Sequence, residues 1–468
     1  MFELRLRTAG AVPDDAPVVL VPAFDAPVGS VAVLSVAADG PTRQRVVAVG
    51  LGDRDTCDPR RLRVASMTAG RALAAEPEVA TTLPSVLGDT TAAILVVAEG
   101  FSVGRYRYRG GVDAELTLCL GSGTGGEPDA PEVARALEVA GTAAEAVEWV
   151  RRMVDTPPSD LTPAVFAERI AERASAAGVK CEIWSGDRLV AAGFGGTLGV
   201  GRGSAHPPCV VHLWTGAQAT DPAPVLGLAG KGITFDAGGI NLKRDPDEIA
   251  WMKSDMAAAA AVVAAVCAAA RLGSVRAVHA VLPLAENLPG PGSLLPGDVV
   301  IHPDGSSTEV LDTDNEGRLV LADAISFLVG EGVDGVIDVG TLTDGGGVGH
   351  LLWGCWGTSD RLIADLLAAG DRVGDAGWHL PLREEYAELF ASPVADRSNR
   401  ARDVPDIGLT AATFLSRFPR GVPWAHIDNG GTAYLGADLP PWAAGPTGSP
   451  TRALLELLLE PDATVYTQ

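Results

Sequence analysis

The amino-acid sequence predicts an α/β fold in two parts, a small N-terminal α/β domain and a larger C-terminal α/β/α domain around a mixed central sheet. The chain has 468 residues, 47% of them hydrophobic, so it can bury more than one core. Short β-branched runs alternate with alanine-rich stretches of helical character, the pattern of a helix-covered sheet. A glycine- and proline-rich segment at residues 121–131 interrupts that pattern and marks a boundary.

The first part of the chain contains several short runs that predict strands. β-branched residues dominate at 31–34, 46–49 and 94–97, and residues 1–7 alternate between apolar and charged side chains. The stretch 60–75 between them is rich in alanine and arginine, which favours a helix. Together these segments predict a largely parallel sheet covered by helices.

A long helical pattern at 133–154 follows the glycine-rich segment and ends at the proline pair 157–158, which cannot continue a helix. The glycines of 121–131 match the letters of a dinucleotide-binding loop, but prolines interrupt the helix that such a loop requires, so a linker is the better interpretation. We therefore predict domains over residues 1–150 and 151–468.

The second domain begins with a helix start, Thr162 as N-cap and Pro163 at the first helical position. Buried strands are predicted at 225–229, 278–282 and 333–339, with helices from Met256 and Leu319 between them.

Charge and cysteine usage exclude several classes of protein. The chain has 59 acidic and 36 basic residues, a formal net charge of -23, so it repels phosphate backbones and nucleic acid is not expected as a partner. Six scattered cysteines form no CxxC pair, which indicates reduced thiols in a cytoplasmic protein. The longest apolar run, 256–270, is shorter than the roughly 20 residues of a membrane span. We therefore predict that it forms a buried core helix and that the protein has no membrane-spanning segment.

Charged side chains concentrate in three segments that end predicted strands or precede predicted helices. They are Lys231, Asp236 and Lys243 in a glycine-rich loop, Asp255 before the alanine-rich helix, and Asp314, Glu316 and Arg318 before the next helix. Singly, each acid could be a helix cap and each lysine a surface residue. Together they would meet at one rim of a sheet, where α/β proteins place their sites.

Four carboxylates at one rim require compensating positive charge. Two divalent cations would neutralise them, and carboxylate-rich sites favour manganese or magnesium, while zinc also accepts oxygen ligands. The seven histidines show no HExxH spacing, so the sequence does not predict a histidine-ligated metal site.

These segments carry a family resemblance. Residues 230–243, 252–256 and 313–318 resemble the signature of the leucyl aminopeptidase, or cytosol aminopeptidase, family of dinuclear metallo-exopeptidases, and the similarity extends over residues 145–460. The segment Thr313-Asp314-Asn315-Glu316-Gly317-Arg318 is its most specific part.

The resemblance implies a role for each charged residue. The residues that would hold two divalent ions, Mn²⁺ or Zn²⁺, are Lys231, Asp236, Asp255, Asp314 and Glu316. A hydroxide bridging those ions would attack the first peptide bond of a short peptide with a free N-terminus. Lys243 would stabilise the oxyanion, and Arg318 would hold a bicarbonate that acts as general base.

The same resemblance implies a substrate pocket lined by Met252, Thr341, Leu342 and Asp344. The family usually has Asn where this chain has Asp312, and Gly where it has Asp344. An acid at 344 either favours basic or polar N-terminal residues by charge complementarity or turns away and pairs locally.

The family also implies a homohexamer with active sites facing an internal cavity. The alternative for function is a catalytically weakened or non-catalytic family member with a binding or regulatory role. A different dinuclear hydrolase, such as a phosphoesterase, is a further alternative, although such sites usually include histidines.

Overall fold

A computed structural model describes residues 4–37, 44–120, 130–216, 224–274, 276–343, 347–405 and 407–460. It confirms the α/β class, with a smaller N-terminal and a larger C-terminal part. The chain divides into two compact units, Met1–Glu148 with Ala437–Ala444, and Trp149–Gly436 with Gly445–Gln468. The division therefore falls within a long helix, and a short segment from near the C-terminus belongs to the first unit.

The first unit contains a six-stranded sheet in the order β1-β6-β5-β2-β4-β3, in which only the β3–β4 pair is antiparallel. Its strands are β1 Leu4–Ala9, β2 Val18–Phe24, β3 Val31–Ala37, β4 Gln44–Gly52, β5 Glu78–Thr81 and β6 Ala114–Cys119. Its helices are α1 Pro59–Ala72, α2 Thr90–Arg105 and the start of α3 Pro131–Asp155, which leads into the second unit. The predicted linker lies at 121–129, outside the described residues.

One predicted strand is wrong, because residues 94–97 lie inside helix α2. Asp89 caps that helix by accepting a hydrogen bond from the Ala92 backbone N–H, 3.0 Å away. Ile94 and Val97 are fully buried. A helix buried over most of its circumference shows the same apolar run as a buried strand, so periodicity could not separate the two.

The second unit contains a nine-stranded mixed sheet, with β16-β15-β18-β14-β9-β11-β8-β7 in order and β10 also paired to β11. The strands of this unit up to the fourteenth are β7 Lys180–Ser185, β8 Cys209–Thr215, β9 Val225–Gly230, β10 Gly232–Asp236, β11 Ala277–Asn287, β12 Val299–Ile301, β13 Ser307–Glu309 and β14 Gly335–Gly340. The remaining strands are β15 Trp353–Gly357, β16 Gly377–His379, β17 Arg397–Ser398, β18 Trp424–Asp428, β19 Tyr434–Leu435 and β20 Gly445–Pro446. Of these, β12, β13 and β17 form a separate three-stranded sheet, and β19 and β20 a two-stranded one.

Ten further helices belong to the described part of this unit: α4 Pro163–Ala176, α5 Asp187–Ala191, α6 Gly195–Gly201, α7 Pro246–Trp251, α8 Ala257–Arg271, α9 Glu316–Gly330, α10 Asp360–Val373, α11 Gly408–Leu415, α12 Gly430–Ala433 and α13 Thr451–Leu459. The predicted helix start is confirmed, since the Thr162 side chain accepts from the Val165 backbone N–H with Pro163 in the first turn. The predicted strands within 225–230, 277–287 and 335–340 are also present.

Helix α8 is the alanine-rich run, and its first thirteen residues are buried. Within the described residues, one helical stretch, Pro246–Arg271, is long and apolar enough to cross a membrane, but 89% of its apolar window is buried inside the fold. This burial is that of a core helix. All six cysteines are free thiols.

Candidate functional site

Pairing with strand β11 fixes the positions of Lys231 and Asp236. The first half of this strand pairs with β9 and its second half with β10, so these two short strands run along one edge of β11 with Lys231 between them. The Lys231 backbone N–H donates to the Val339 carbonyl of β14 at 3.0 Å, and its own carbonyl accepts from the Ala259 N–H of α8 at 3.0 Å. The sequence predicted a tight loop here, but Gly232–Asp236 forms a strand, with Asp236 as its last residue.

The close approach of α8 to this point depends on small residues. A Cβ built on Gly230 would lie 2.7 Å from the Cα of Ala259, so no residue larger than glycine fits at position 230 without a shift of the backbone. The helix backbone therefore contacts the strand backbone directly and fixes where α8 begins, next to Asp255. Asp255 follows a short turn, Met252–Ser254, and does not cap α8, whose N-cap Met256 makes no side-chain cap.

Lys231 is buried, and its ammonium group lies close to three oxygen atoms. Its Nζ lies 2.8 Å from Oδ2 of Asp255 and 2.8 Å from Oε1 of Glu316. It also donates to the Thr341 carbonyl at 2.8 Å. Gly317 leaves room for this arrangement, because a Cβ there would lie 2.7 Å from the lysine Nζ.

Lys243 joins the other two acids of the cluster. Its Nζ lies 3.0 Å from Oδ2 of Asp236 and donates to Oδ1 of Asp314 at 2.6 Å. Two of its three donors are thus engaged with carboxylates. The structure therefore brings together all six residues predicted for the metal and oxyanion positions. Arg318, predicted to hold the base, lies on the buried side of α9.

Asp236 is oriented by two donors that the sequence did not indicate as functional. Its Oδ1 accepts from the Gly238 backbone N–H at 2.8 Å and from Nδ2 of Asn287 at 2.8 Å. The same Asn287 amide donates to the Thr313 carbonyl at 2.9 Å, which links the β10 end to the segment before α9. Asn287 is the last residue of β11, and only its position at a strand end could have suggested a role.

Burial and mutual repulsion dominate the electrostatics of the cluster. Burial, with the Asp236 carboxylate, raises the pKa of Asp314 to about 7 and raises the pKa values of Asp255 and Glu316. Burial alone would lower the pKa of Lys231, but Asp255, Glu316 and Asp236 outweigh it and hold that pKa above its ordinary value. The lysines are therefore ammonium groups that only partly compensate the acids.

The donor set fits divalent cations. Asp236, Asp255 and Glu316 each offer a carboxylate oxygen, and these oxygens lie within 4.8 Å of one another. Buried oxygens Oδ2 of Asp255 and Oε2 of Glu316 accept no hydrogen bond of ordinary geometry in the described residues. Buried carboxylate oxygens normally have partners, so these are suited to bind hard or borderline cations.

Arg318 is 2% exposed, and its Nη1 donates to the Asn399 backbone carbonyl at 2.9 Å. The Asn399 side chain in turn accepts from the Leu311 N–H at 2.8 Å and donates to the Asp312 carbonyl at 2.6 Å. Asp312, where the family usually has Asn, accepts from the Asp314 backbone N–H at 3.0 Å. An asparagine oxygen could accept the same bond, so the acid at 312 preserves the turn.

Three residues predicted to line the substrate pocket lie beside the cluster. Met252 and Leu342 are half-buried, and Thr341 donates its hydroxyl to Oδ1 of Asp255. Asp428, which the sequence did not single out, accepts from the Leu342 N–H at 3.3 Å and from the Thr343 hydroxyl at 2.6 Å. Asp344 lies outside the described residues.

Known protein families and relatives match most of this chain. The catalytic-domain model of the cytosol aminopeptidase family (peptidase M17) matches residues 148–455, and the N-terminal-domain model matches residues 23–110. A "Probable cytosol aminopeptidase" of Rhodococcus jostii is 40% identical over 88% of this chain and 82% of its own length. One of Solibacter usitatus is 36% identical over 90% of this chain and 88% of its own.

A solved structure is similar over the whole chain. The bottromycin maturation enzyme BotP, in complex with Mn, is 37% identical, with a TM-score of 0.85 over 95% of this chain and 99% of its own. The resemblance inferred from the sequence is confirmed. The chain belongs to the cytosol aminopeptidase family of metal-dependent peptidases.

Proposed function

We propose that the protein removes the N-terminal residue from short peptides at a dinuclear metal centre. The residues that would hold the two ions are Lys231, Asp236, Asp255, Asp314 and Glu316. The observation that carries the proposal is the convergence of four carboxylates on two lysines, with buried carboxylate oxygens that accept no hydrogen bond. Such a cluster is costly unless cations bind to it.

Two divalent ions, Mn²⁺ or Zn²⁺, would polarise the scissile carbonyl and lower the pKa of a water molecule. As a ligand, Lys231 would be the neutral amine, having released its proton to solvent, because an ammonium group has no lone pair to offer a metal ion. Manganese is supported by the donor set and by the Mn complex of the similar maturation enzyme.

Counting donors separates the two lysines. The Lys231 Nζ lies within 2.8 Å of three oxygens of the centre, whereas the Lys243 Nζ is close to two carboxylates, so the three N–H groups of Lys243 outnumber these two partners. The Lys243 ammonium can therefore donate to the substrate carbonyl oxygen while Asp236 and Asp314 keep it charged. A fixed donor of this kind stabilises the oxyanion that develops during attack.

Arg318 is the proposed holder of a bicarbonate that receives the proton of the attacking water. A guanidinium suits this anion because both are planar and can share two parallel hydrogen bonds. Its contact with the Asn399 carbonyl fixes the orientation of the side chain from the buried side.

Met252, Thr341, Leu342 and Asp344 would form the pocket for the N-terminal side chain. An apolar wall of Met252 and Leu342 suits a leucyl-type preference, and Asp344 would extend it to basic residues. The proposed role of Asp344 is contradicted if lysyl and arginyl amides are cleaved no faster than leucyl amides and if Asp344→Gly does not change these rates. The homohexamer and the cytoplasmic location stay predictions.

The test is hydrolysis of leucine p-nitroanilide after chelation and after addition of Mn²⁺. We expect activity only with the metal, and a loss of about 10²–10³-fold in kcat for Lys243→Ala with an unchanged metal content. Lys253→Ala is the matched control, since that lysine is paired with Asp155 outside the cluster. Metal-independent turnover would contradict the proposal, and metal binding without turnover would favour the non-catalytic alternative.

A second candidate function is maturation of a biosynthetic product, as for the similar maturation enzyme. The observation that favours it is the similarity to that enzyme, which is 37% identical with a TM-score of 0.85. A broad panel of dipeptides would discriminate. General turnover favours peptide degradation, and turnover restricted to one precursor favours maturation.

A further inference from the structure

A second group of chemistry-bearing side chains lies towards the β7 end of the nine-stranded sheet, on β7, β8 and β11 and at the end of α9. It borders a cavity of about 480 Å³ lined by the His212–His279 pair, Trp184, Trp214, Glu182 and Glu331. None of these residues belongs to the carboxylate–lysine cluster. The cavity has no part in the aminopeptidase mechanism proposed above.

The two histidines face each other across an antiparallel strand pair. His279 of β11 is paired with Trp214 of β8, and His212 is two residues before Trp214, so both imidazoles lie on the same face of the sheet. Nε2 of His212 lies 3.3 Å from Nδ1 of His279. Two nitrogens that bind one tetrahedral zinc at about 2.0–2.1 Å lie about 3.3–3.4 Å apart, so the distance across this hydrogen-bonded histidine pair matches that of a chelate.

The surroundings favour the metal-binding form of both rings. Burial lowers the pKa of His212 to about 4 and lowers that of His279, so both imidazoles are neutral near pH 7. The charged groups nearby are two carboxylates and one guanidinium. Glu331 interacts with His279. Arg188 is the only cation that lines the cavity among the described residues, and its charge is compensated by an ion pair with Glu182.

We propose that His212 and His279 form a separate site for one transition-metal ion of the zinc type, with the remaining positions taken by water or the flanking carboxylates. Imidazole nitrogens prefer Zn²⁺, Ni²⁺ and Cu²⁺ to the hard cations Mg²⁺ and Ca²⁺. A bound ion would tie β8 to β11, the strand that ends at Asn287.

The test compares zinc stoichiometry of the chelated, re-dialysed protein with that of His279→Gln. We expect the variant to bind one equivalent fewer than the wild type, with unchanged aminopeptidase activity. His206→Gln is the matched control, because His206 is exposed and contacts Glu286 elsewhere, and it should bind as much zinc as the wild type. Equal stoichiometry in wild type and His279→Gln would overturn the proposal.

A second measurement needs no variant. Zn²⁺ should protect His279 of the wild-type protein from modification by diethylpyrocarbonate, read by peptide mass spectrometry, and Mg²⁺ should not. Equal modification of His279 with and without Zn²⁺ contradicts the site even if the variant does not fold. Failure of either measurement leaves the dinuclear centre unaffected, since that centre is tested by Mn²⁺-dependent turnover.

Discussion

Helix α9 carries two buried carboxylates that are held in opposite ways. Asp323, 0% exposed, accepts from the Thr197 N–H at 2.7 Å and hydroxyl at 2.9 Å, from Gly196 N–H at 3.3 Å, and contacts His302 Nδ1 at 2.7 Å. Glu316, 1% exposed, contacts Lys231 through one oxygen, while its other oxygen accepts no hydrogen bond. A fully satisfied carboxylate stabilises the fold, whereas a partly satisfied one among other acids is suited to an external cation.

The largest expected difference is between conservative amides at these two positions. Glu316→Gln should lower kcat/KM by more than about 100-fold, which is the upper cost of losing a residue that only orients a metal ligand. The chelated variant should be at least as stable as the chelated wild type, because a carboxylate that repels its acidic neighbours is removed. Asp323→Asn should cost about 1–3 kcal/mol of unfolding free energy, because two donors lose their acceptor. Urea unfolding and p-nitroanilide kinetics measure both, and equal stability losses would break the comparison.

A smaller difference is expected for the residues that orient each carboxylate. Asn287→Ala removes a donor to Asp236 and should lower metal affinity or activity about 10–100-fold. Thr197→Ala removes one donor to Asp323 and should cost about 1 kcal/mol in stability with activity retained. Metal titration of the two variants checks this, and an unchanged affinity in Asn287→Ala would contradict the positioning role.

The pH dependence of the stability of the chelated protein should report on the carboxylate–lysine cluster without its metal ions. Because the pKa of Asp314 is raised to about 7 in the folded state, the native protein binds a proton that the unfolded chain releases above about 4. This contribution to stability is therefore lost as pH rises from about 4 to about 7. Mn²⁺ competes with the same proton, so it should raise the melting temperature more at pH 8 than at pH 5.

Asp314→Asn provides the control for this measurement. The variant should show a smaller decline in stability between pH 4 and 7, because Asp255 and Glu316, whose pKa values are also raised, still contribute to it. The opposite contribution of His212, whose pKa is lowered to about 4, also remains. A decline of the same size in the variant would assign the titration to other groups.

The smallest effects are expected from two glycines of the same helix. Gly317→Ala places a methyl group 2.6 Å from Leu342 and 2.7 Å from Lys231, so it should cost about 1–3 kcal/mol and weaken metal binding. Gly330→Ala, at the other end of α9, meets nothing within 4 Å and should stabilise by about 0.4–1 kcal/mol. Thermal unfolding of the two variants measures the difference. Equal changes in stability would show that Gly317 is not required for steric reasons.

The sequence could group the charged residues because each lies at the end of a strand or the start of a helix, and such ends meet at one rim of an α/β sheet. It could not indicate Asn287, because a side-chain amide that orients a carboxylate looks like any polar residue until the strands are placed. Nor could it indicate Asn399, which contacts Arg318 through its backbone carbonyl. Nor could it distinguish Asp323 from Glu316, since both are acids on an apolar helix.

The errors in the fold have a related cause. Residues 94–97 and the strand Gly232–Asp236 were misassigned because burial on several sides removes the alternation that distinguishes a helix from a strand, and because glycines suggested a turn where β11 in fact provides a partner. Tertiary pairing overrides local preference at such positions.

The alanines of α8 have a consequence for how this protein can change. Since the helix meets β9 backbone to backbone at Gly230 and Ala259, the distance from Lys231 to Asp255 is set without intervening side chains. Any side chain at Gly230 would push the helix outward and carry Asp255 with it. The spacing of two residues of the carboxylate–lysine cluster therefore depends on a strand position that has no room for a single methyl group.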